Sequence, residues 1–282
     1  MSLLQHLRPL PDVAVIYTDL DGTLLGRGGS VLADGDGRPS VAGVTALVAA
    51  RRAGIAVVGV SGRRAASLAH DARLLGLDGA IAEVGTVLIR DGVHHFRWGE
   101  CPPDLAATPR GALEAVGAVQ VLLDGFPGDL RPYDPWDAGR EGGHLLHGRI
   151  DVGQGNRLLA QAGIGWAKVV DNGRASGWEG RSDVHAYHLV ARGVGKAEAL
   201  AEDLRWRGLA PDTAMAIGDS VEDRTMARSV ATYVMVANAA GTAEGNCFRV
   251  AGRHGDGVAE AITAALDARA DHRPPDQAGW RR

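Results

Sequence analysis

The chain has 282 residues, 45% hydrophobic and 23% charged, which is enough to bury a substantial core in one large or two smaller domains. Its formal net charge of -4 and pI near 6.2 exclude a general attraction to nucleic acid or to an anionic membrane, so an anionic ligand must be bound at a local site. Two widely spaced cysteines, no signal-peptide pattern and no apolar run of ~20 residues predict a cytoplasmic protein without a disulfide framework.

The first part of the chain alternates strands and helices. Residues 13–17 form a short β-branched run that is typical of a buried parallel strand. Helical spacing follows over 41–53 and a second buried strand over 55–60. A helix over 64–75 and a short strand at 80–82 continue the alternation.

The same alternation returns late in the chain. The pattern predicts a helix over 196–207, a strand over 214–217, a helix over 221–229 and a strand over 233–236. The fold class predicted is therefore α/β, with a doubly wound, Rossmann-like parallel sheet. Such sheets bind their ligands at the carboxyl ends of the strands, where the polar residues of both stretches fall.

The middle of the chain has a different pattern. Short apolar runs are interrupted by Gly, Pro, His and Trp, with helical spacing over 156–162 and a strand over 184–190 that is expected to return the chain to the core. We therefore predict a core domain of residues 1–86 and 183–270, with an inserted α/β cap domain at 87–182. Residues 271–282 have little to bury and are expected to form a disordered tail.

The strongest chemical signal is the pair Asp19 and Asp21, at the end of the first predicted strand and followed by Gly22 and Thr23. Because side chains of a strand alternate with period two, both carboxylates would point to the same side. Two carboxylates that lie so close together repel each other unless a cation or a shared proton offsets their charge. A divalent metal is the simplest cation to predict.

Three further polar clusters follow. Ser61–Arg63 offers a hydroxyl and backbone N–H groups to phosphate oxygens. Lys196 begins a helix, where the dipole already favours anions. A P-loop is excluded there because Val190 and Ala197 replace its required glycine and hydroxyl residue. Residues 217–223 add carboxylates, the oxygen ligands that Mg²⁺ prefers.

The four clusters, in this order, resemble the signature of the haloacid dehalogenase superfamily of phosphatases. The resemblance implies Mg²⁺-dependent hydrolysis of a phosphate monoester through an aspartyl-phosphate. It assigns Asp19 as the nucleophile and Asp21 as the general acid and base, which Thr23 positions. The phosphoryl group is contacted by Ser61, Gly62, Arg63 and Lys196. The metal is held by Asp19, the carbonyl of Asp21 and Asp219, with Asp223 beside it or acting through water.

An inserted cap of this size resembles the Cof-type subgroup, which implies a small phosphorylated metabolite as substrate, a sugar phosphate or phosphorylated sugar acid. Ser220 fits a branch that resembles mannosyl-3-phosphoglycerate and sucrose-phosphate phosphatases, whereas Glu222 departs from the Asn that many relatives carry. Within the cap, Asn172 and Arg174 are the first candidates for substrate binding, although Asn-Gly also favours a hairpin turn. Further cap candidates are Arg131, His144, His147, Lys168, Asp171 and Trp178.

Two other functions are compatible with the same motifs. Phosphomannomutases resemble this branch, and a mutase would need a cap that binds both ends of a bisphosphate. A non-catalytic regulatory protein on this scaffold would be expected to lack Asp19, Asp21 or Lys196, and all three are present.

Overall fold

A computed structural model describes residues 1–175 and 177–272. The helices of the described chain are α1 (Leu3–Leu7), α2 (Ala42–Arg52), α3 (Ala65–Leu75), α4 (Pro109–Ala115), α5 (Ala118–Gly125), α6 (Val152–Gln161), α7 (Lys196–Arg207) and α8 (His254–Asp271). The strands are β1 (Val15–Asp19), β2 (Ala56–Val60), β3 (Ala80–Ala82), β4 (Val87–Arg90), β5 (Val93–Phe96), β6 (Leu130–Pro132), β7 (His144–Gly148), β8 (Ala167–Arg174), β9 (His185–Ala191), β10 (Ala214–Gly218), β11 (Thr232–Met235) and β12 (Cys247–Arg249).

The chain divides into two compact units. The first comprises residues 1–60, 72–79 and 200–272, and the second comprises 61–71 and 80–199. Among the described residues, no helix combines the length and apolar character needed to span a membrane.

The first unit contains a parallel sheet in the order β12-β11-β10-β1-β2. Every residue of β1 and β10 is buried, as expected for central strands covered on both faces. From β1 the chain proceeds outward to β2, and from β10 it proceeds the other way to β11 and β12. The strand order thus reverses between β1 and β10, which is where open α/β sheets bind ligands.

Within the second unit, β3, β4 and β5 pair antiparallel, and a separate antiparallel sheet has the order β6-β7-β9-β8. Leu122 of α5 and Leu159 of α6 are fully buried in one cluster with Leu146 of β7 and Leu189 of β9. The helices α5 and α6 therefore cover one face of the four-stranded sheet.

The doubly wound α/β fold predicted from sequence is confirmed, and most predicted elements agree with the structure to within a few residues. Two expectations were wrong. The strand predicted as a return to the core is β9, which pairs with β7 and β8 in the four-stranded sheet. The helix expected over 221–229 is a 3-10 helix at Asp223–Arg228. Of the predicted tail, Asp271 is the last residue of α8, and residues 273–282 lie outside the described residues.

Candidate active site

Three carboxylates meet at the reversal point of the parallel sheet. Asp19 is the last residue of β1, and Asp219 directly follows β10. Thr18 lies opposite Ile217 in the β1–β10 register, so the two aspartates leave neighbouring strands at the same edge. Asp223 lies at the start of the 3-10 helix that follows. One carboxylate oxygen from each of the three residues lies within 4.8 Å of the other two.

This group fits a hard divalent cation. Asp19 and Asp223 are 6% and 1% exposed, and like charges so close together in a buried site repel unless a cation offsets them. Carboxylate oxygens are the donors that Mg²⁺ takes, with water completing its octahedral shell. The predicted metal ligands Asp19 and Asp219 are thus brought together, and Asp223 joins them.

Asp223 is oriented by the loop that precedes it. Its Oδ2 accepts hydrogen bonds from the backbone N–H groups of Asp219 (3.2 Å) and Ser220 (3.0 Å), and from the Ser220 hydroxyl (2.8 Å). Side-chain bonds of this kind compete with α-helical hydrogen bonding. They account for the tight turn found where a regular helix was expected.

The turn after β1 packs directly on Asp219. Gly22 has a φ of +88°, and a Cβ on it would lie 2.5 Å from Oδ2 of Asp219, so only glycine fits there. Thr23 is fully buried, and its hydroxyl donates to Oδ1 of Asp219 (3.2 Å). The single hydroxyl proton of Thr23 therefore goes to Asp219, and its role in positioning Asp21 stays a prediction. Asp21 itself is exposed.

Sequence reasoning missed two residues that anchor this turn. The carbonyl oxygen of Gly22 accepts hydrogen bonds from Nδ2 of Asn238 (2.8 Å) and from Nδ1 of His254 (2.9 Å). Burial lowers the pKa of His254, with a further contribution from Arg253, which favours the neutral ring. No local pattern marks either residue, since they lie more than 200 positions from Gly22 in the sequence.

In the second unit, Ser61 is 2% exposed and begins the turn that leads into α3. Its hydroxyl oxygen accepts the N–H of Arg63 (3.2 Å), which leaves the hydroxyl proton for another acceptor. Nη1 of Arg63 forms an ion pair with Asp71 (2.6 Å) on α3. The guanidinium of Arg63 is therefore engaged with α3, and its contact with the substrate stays a prediction.

Lys196 is 4% exposed and is the first residue of α7. Gly85 has a φ of +93° and packs closely against the backbone before this helix. A Cβ on Gly85 would lie 2.3 Å from the carbonyl oxygen of Gly195 and 2.9 Å from the backbone nitrogen of Lys196. The turn after β3 therefore supports the turn that carries the lysine. A buried ammonium at a helix start is suited to binding an anion.

A buried polar cluster that sequence analysis missed lies beside Gly62. Glu83 is 1% exposed and accepts backbone N–H groups from Ala65, Glu141 and Gly142 at 2.9–3.2 Å. Burial raises its pKa, which Arg140 and these hydrogen bonds offset in part. Arg140 donates to the carbonyl of Gly62 (3.0 Å). His188 is a further residue of this cluster, and the sequence could have indicated it because it is a polar residue within the buried strand β9.

Among the cap candidates, Asn172 lies close to this cluster. It falls in a β-bulge of β8, where the register shifts between Asp171 and Arg174, and its Nδ2 lies 3.7 Å from the position that a Gly62 Cβ would take. Arg174 is exposed and lies opposite His185. The other candidates have partners within the second unit. Arg131 stacks on Trp178, and His147 stacks on Tyr133. His144 contacts Asp137, Lys168 donates to the Val194 carbonyl, and Asp171 pairs with His185.

The chain matches known proteins in sequence and in fold. Residues 180–262 match a family model of haloacid dehalogenase-like hydrolases. A phosphoglycolate phosphatase of Methanoculleus marisnigri is 29% identical over 226 residues, which span 79% of this chain and 84% of that protein. These matches are similarities to a hydrolase family over a late segment of the chain and to a phosphatase over most of the chain. The predicted resemblance to haloacid dehalogenase-like phosphatases is thereby confirmed.

Solved structures of other proteins show the same fold. A protein from Thermoplasma acidophilum superposes with a TM-score of 0.66 at 18% identity, covering 91% of this chain and 99% of its own. The sucrose-phosphatase of Synechocystis, solved with sucrose and phosphate, gives a TM-score of 0.64 at 18% identity with the same coverage. At this identity the likeness supports the fold alone.

Proposed function

We propose that this protein is a Mg²⁺-dependent phosphatase of the haloacid dehalogenase type, which cleaves a small phosphate monoester through an aspartyl-phosphate on Asp19. The observation that carries the proposal is the convergence of Asp19, Asp219 and Asp223 within 4.8 Å at the reversal point of the sheet. An exposed Asp21 two residues after Asp19 supplies a carboxyl group that can exchange protons with solvent.

The proposed reaction has two steps. A carboxylate oxygen of Asp19 attacks phosphorus, the ester P–O bond breaks, and the carboxylic acid of Asp21 protonates the departing alkoxide. Asp21, now a carboxylate, then takes a proton from water while the water oxygen attacks phosphorus. The bond between phosphorus and Asp19 breaks, which releases inorganic phosphate and restores both side chains.

The carboxylates of Asp19, Asp219 and Asp223 and the carbonyl of Asp21 are the proposed ligands of Mg²⁺. The bound cation would offset the charge of the clustered carboxylates and of the phosphoryl oxygens. Ser61, through its available proton, and Lys196, through its ammonium, are the proposed partners of the phosphoryl oxygens within the second unit.

For the substrate we propose a sugar phosphate or a phosphorylated sugar acid. The relative named as a phosphoglycolate phosphatase supports a small phosphorylated acid. The structural similarity to a sucrose-phosphatase is consistent with a phosphorylated sugar. Asn172, close to Gly62 in the second unit, is the proposed cap residue for substrate binding.

The decisive experiment compares Asp19→Asn with Asp91→Asn, a control whose side chain is 93% exposed. Both proteins are assayed for release of inorganic phosphate from phosphoglycolate, 3-phosphoglycerate, sucrose phosphate and mannose 6-phosphate, with Mg²⁺ or with excess chelator. We expect Asp19→Asn to lose at least about a thousandfold in kcat, while the control retains wild-type rates.

Three results would contradict the proposal. Activity of Asp19→Asn near the wild-type level would exclude the nucleophile assignment, and full activity in chelator would exclude the metal. Conversion of mannose 6-phosphate to the 1-phosphate without phosphate release would identify a mutase instead.

A further inference from the structure

Arg140, in the loop between β6 and β7, is a buried cation with an unused donor. It is 7% exposed, and its guanidinium donates from Nε to the Trp136 carbonyl (3.1 Å) and from Nη2 to the Gly62 carbonyl (3.0 Å). Its Nη1 is buried without a hydrogen-bond partner. Buried arginine nitrogens normally pair with an anion or carbonyl, because an unsatisfied N–H loses its hydration without compensation.

The acidic residues that offset the charge of Arg140 are engaged with other donors. Glu83 accepts backbone N–H groups from Ala65, Glu141 and Gly142. Asp137 accepts two hydrogen bonds from the Arg110 guanidinium and one from the Leu145 N–H. Both carboxylates therefore act on Arg140 through space, and its Nη1 remains available to a further acceptor.

His188 presents a second unused nitrogen to the same place. It is 1% exposed, and its Nε2 is buried without a hydrogen-bond partner. This Nε2 lies 3.2 Å from the position that a Cβ on Gly62 would take, on the residue whose carbonyl Arg140 binds. Burial, aided by the charges of Arg140 and Lys196, lowers the pKa of His188 well below its ordinary value. The ring is therefore neutral, and in the Nε2–H tautomer this nitrogen can donate a hydrogen bond without carrying a charge.

Two buried nitrogens without partners, one on a cation and one on a neutral ring, thus belong to side chains that contact Gly62, with Nδ2 of Asn172 close by. Arginine N–H groups can only donate, so their missing partner must be an acceptor. One available guanidinium nitrogen and one neutral imidazole match a singly charged, planar carboxylate.

We propose that Arg140 and His188 bind the carboxylate of the substrate, so that the enzyme acts on short phosphorylated carboxylic acids in preference to neutral phosphate esters. The inference rests on the proposed phosphatase function. Gly62 directly follows Ser61, the proposed partner of the phosphoryl group, and consecutive Cα atoms are about 3.8 Å apart. A carboxylate at Gly62 and a phosphoryl group at Ser61 therefore belong to a small molecule such as phosphoglycolate or 3-phosphoglycerate.

The test uses substrate pairs in which a CH₂OH group replaces the carboxylate. These are phosphoglycolate with 2-hydroxyethyl phosphate, and 3-phosphoglycerate with glycerol 3-phosphate. Because a charge-assisted hydrogen bond favours the acid, the wild-type ratio of kcat/KM, acid over alcohol, is expected to be at least about 10. Arg140→Gln and His188→Leu should each lower this ratio about tenfold. Arg149→Gln, whose side chain is 71% exposed, should preserve it.

His188→Leu also separates binding from folding. Replacing an unpartnered buried nitrogen by an apolar group of similar size removes an unsatisfied donor, so the midpoint of thermal unfolding should stay constant or rise. A lower acid preference in a protein of equal or higher stability cannot result from a damaged fold. If the ratio is unchanged in both variants, or if kcat/KM falls equally for acid and alcohol, the proposal is overturned.

A binding measurement distinguishes failure of this inference from failure of the proposed function. If no ester releases phosphate, the phosphatase function fails, and thermal unfolding is then followed with each member of the pairs. A larger upward shift with phosphoglycolate than with 2-hydroxyethyl phosphate, lost in Arg140→Gln and His188→Leu, would still support the carboxylate subsite. Equal shifts, or none, would overturn it.

Discussion

At the residue scale, the buried charged groups of this protein are held mostly by backbone N–H groups and by short-range side-chain partners. Asp223, Glu83 and Asp137 each accept several such bonds. Burial opposes ionisation of Asp137, but hydrogen bonds from His144, Leu145 and Arg110 outweigh it and lower the pKa of that carboxyl. His188 differs because its buried Nε2 has no partner within the described chain.

This difference predicts a pH dependence of stability. Because burial lowers the pKa of His188 in the native state, the unfolded chain binds more protons than the native one below the ordinary value of 6.5. The free energy of unfolding should therefore fall as the pH drops below 6.5, by up to about 1.4 kcal/mol per pH unit from this group. Denaturant unfolding between pH 7 and about pH 5 checks this expectation.

The control for that experiment is a pair of variants. His188→Leu should lose the part of the pH dependence that comes from this ring, whereas His70→Gln, at an exposed position of α3, should keep the wild-type curve. Identical curves for wild type and His188→Leu would show that His188 is not the titrating group.

At the element scale, short turns after β1, β3 and β10 determine where the site residues lie. Period and composition predicted these strands well, because buried parallel strands have a distinctive β-branched pattern. Two elements could not be assigned that way. The partner of β9 is decided by long-range pairing, and the 3-10 helix by the side chain of Asp223, neither of which local spacing encodes.

The turn after β1 allows a matched test of geometry. Gly22 and Gly28 both have positive φ, but a Cβ on Gly22 would lie 2.5 Å from Asp219, whereas one on Gly28 meets nothing within 4 Å. Gly28→Ala should lower the free energy of unfolding by about 1 kcal/mol, from backbone strain alone. Gly22→Ala should cost about 1–3 kcal/mol more and displace Asp219.

Denaturant unfolding and a Mg²⁺ titration followed by thermal unfolding would measure both effects. Mg²⁺ should raise the unfolding midpoint of Gly22→Ala only weakly, whereas it should raise that of Gly28→Ala as much as that of wild type. Equal stability and equal Mg²⁺ response in the two variants would show that the turn tolerates a side chain beside Asp219.

At the scale of the whole molecule, the three carboxylates link metal binding to folding. Without a cation their mutual repulsion opposes the native state, which alone holds them within 4.8 Å of one another. A ligand that binds only the native state stabilises it by mass action, by about 2.7 kcal/mol at one hundred times Kd. Mg²⁺ should therefore raise the unfolding midpoint of the wild-type protein.

Asp219→Asn should relieve the repulsion between the carboxylates in metal-free solution. The substitution keeps an oxygen for the Thr23 hydroxyl but removes one negative charge, so the variant should unfold at the same or a higher temperature than wild type in chelator. It should gain little from Mg²⁺. Asp212→Asn, at an exposed position just before β10, should behave as wild type. A full Mg²⁺ shift in Asp219→Asn would exclude Asp219 as a ligand.

The sequence by itself determined the α/β class, the strand ends and the order of the motifs around Asp19, Ser61, Lys196 and Asp219, because these are local patterns of burial and charge. Tertiary structure decided which distant groups meet. It placed the Thr23 proton on Asp219 and occupied Arg63 with Asp71. It also brought Arg140 and His188 to Gly62, since hydrogen-bond partners far apart in the chain depend on packing that no short segment specifies.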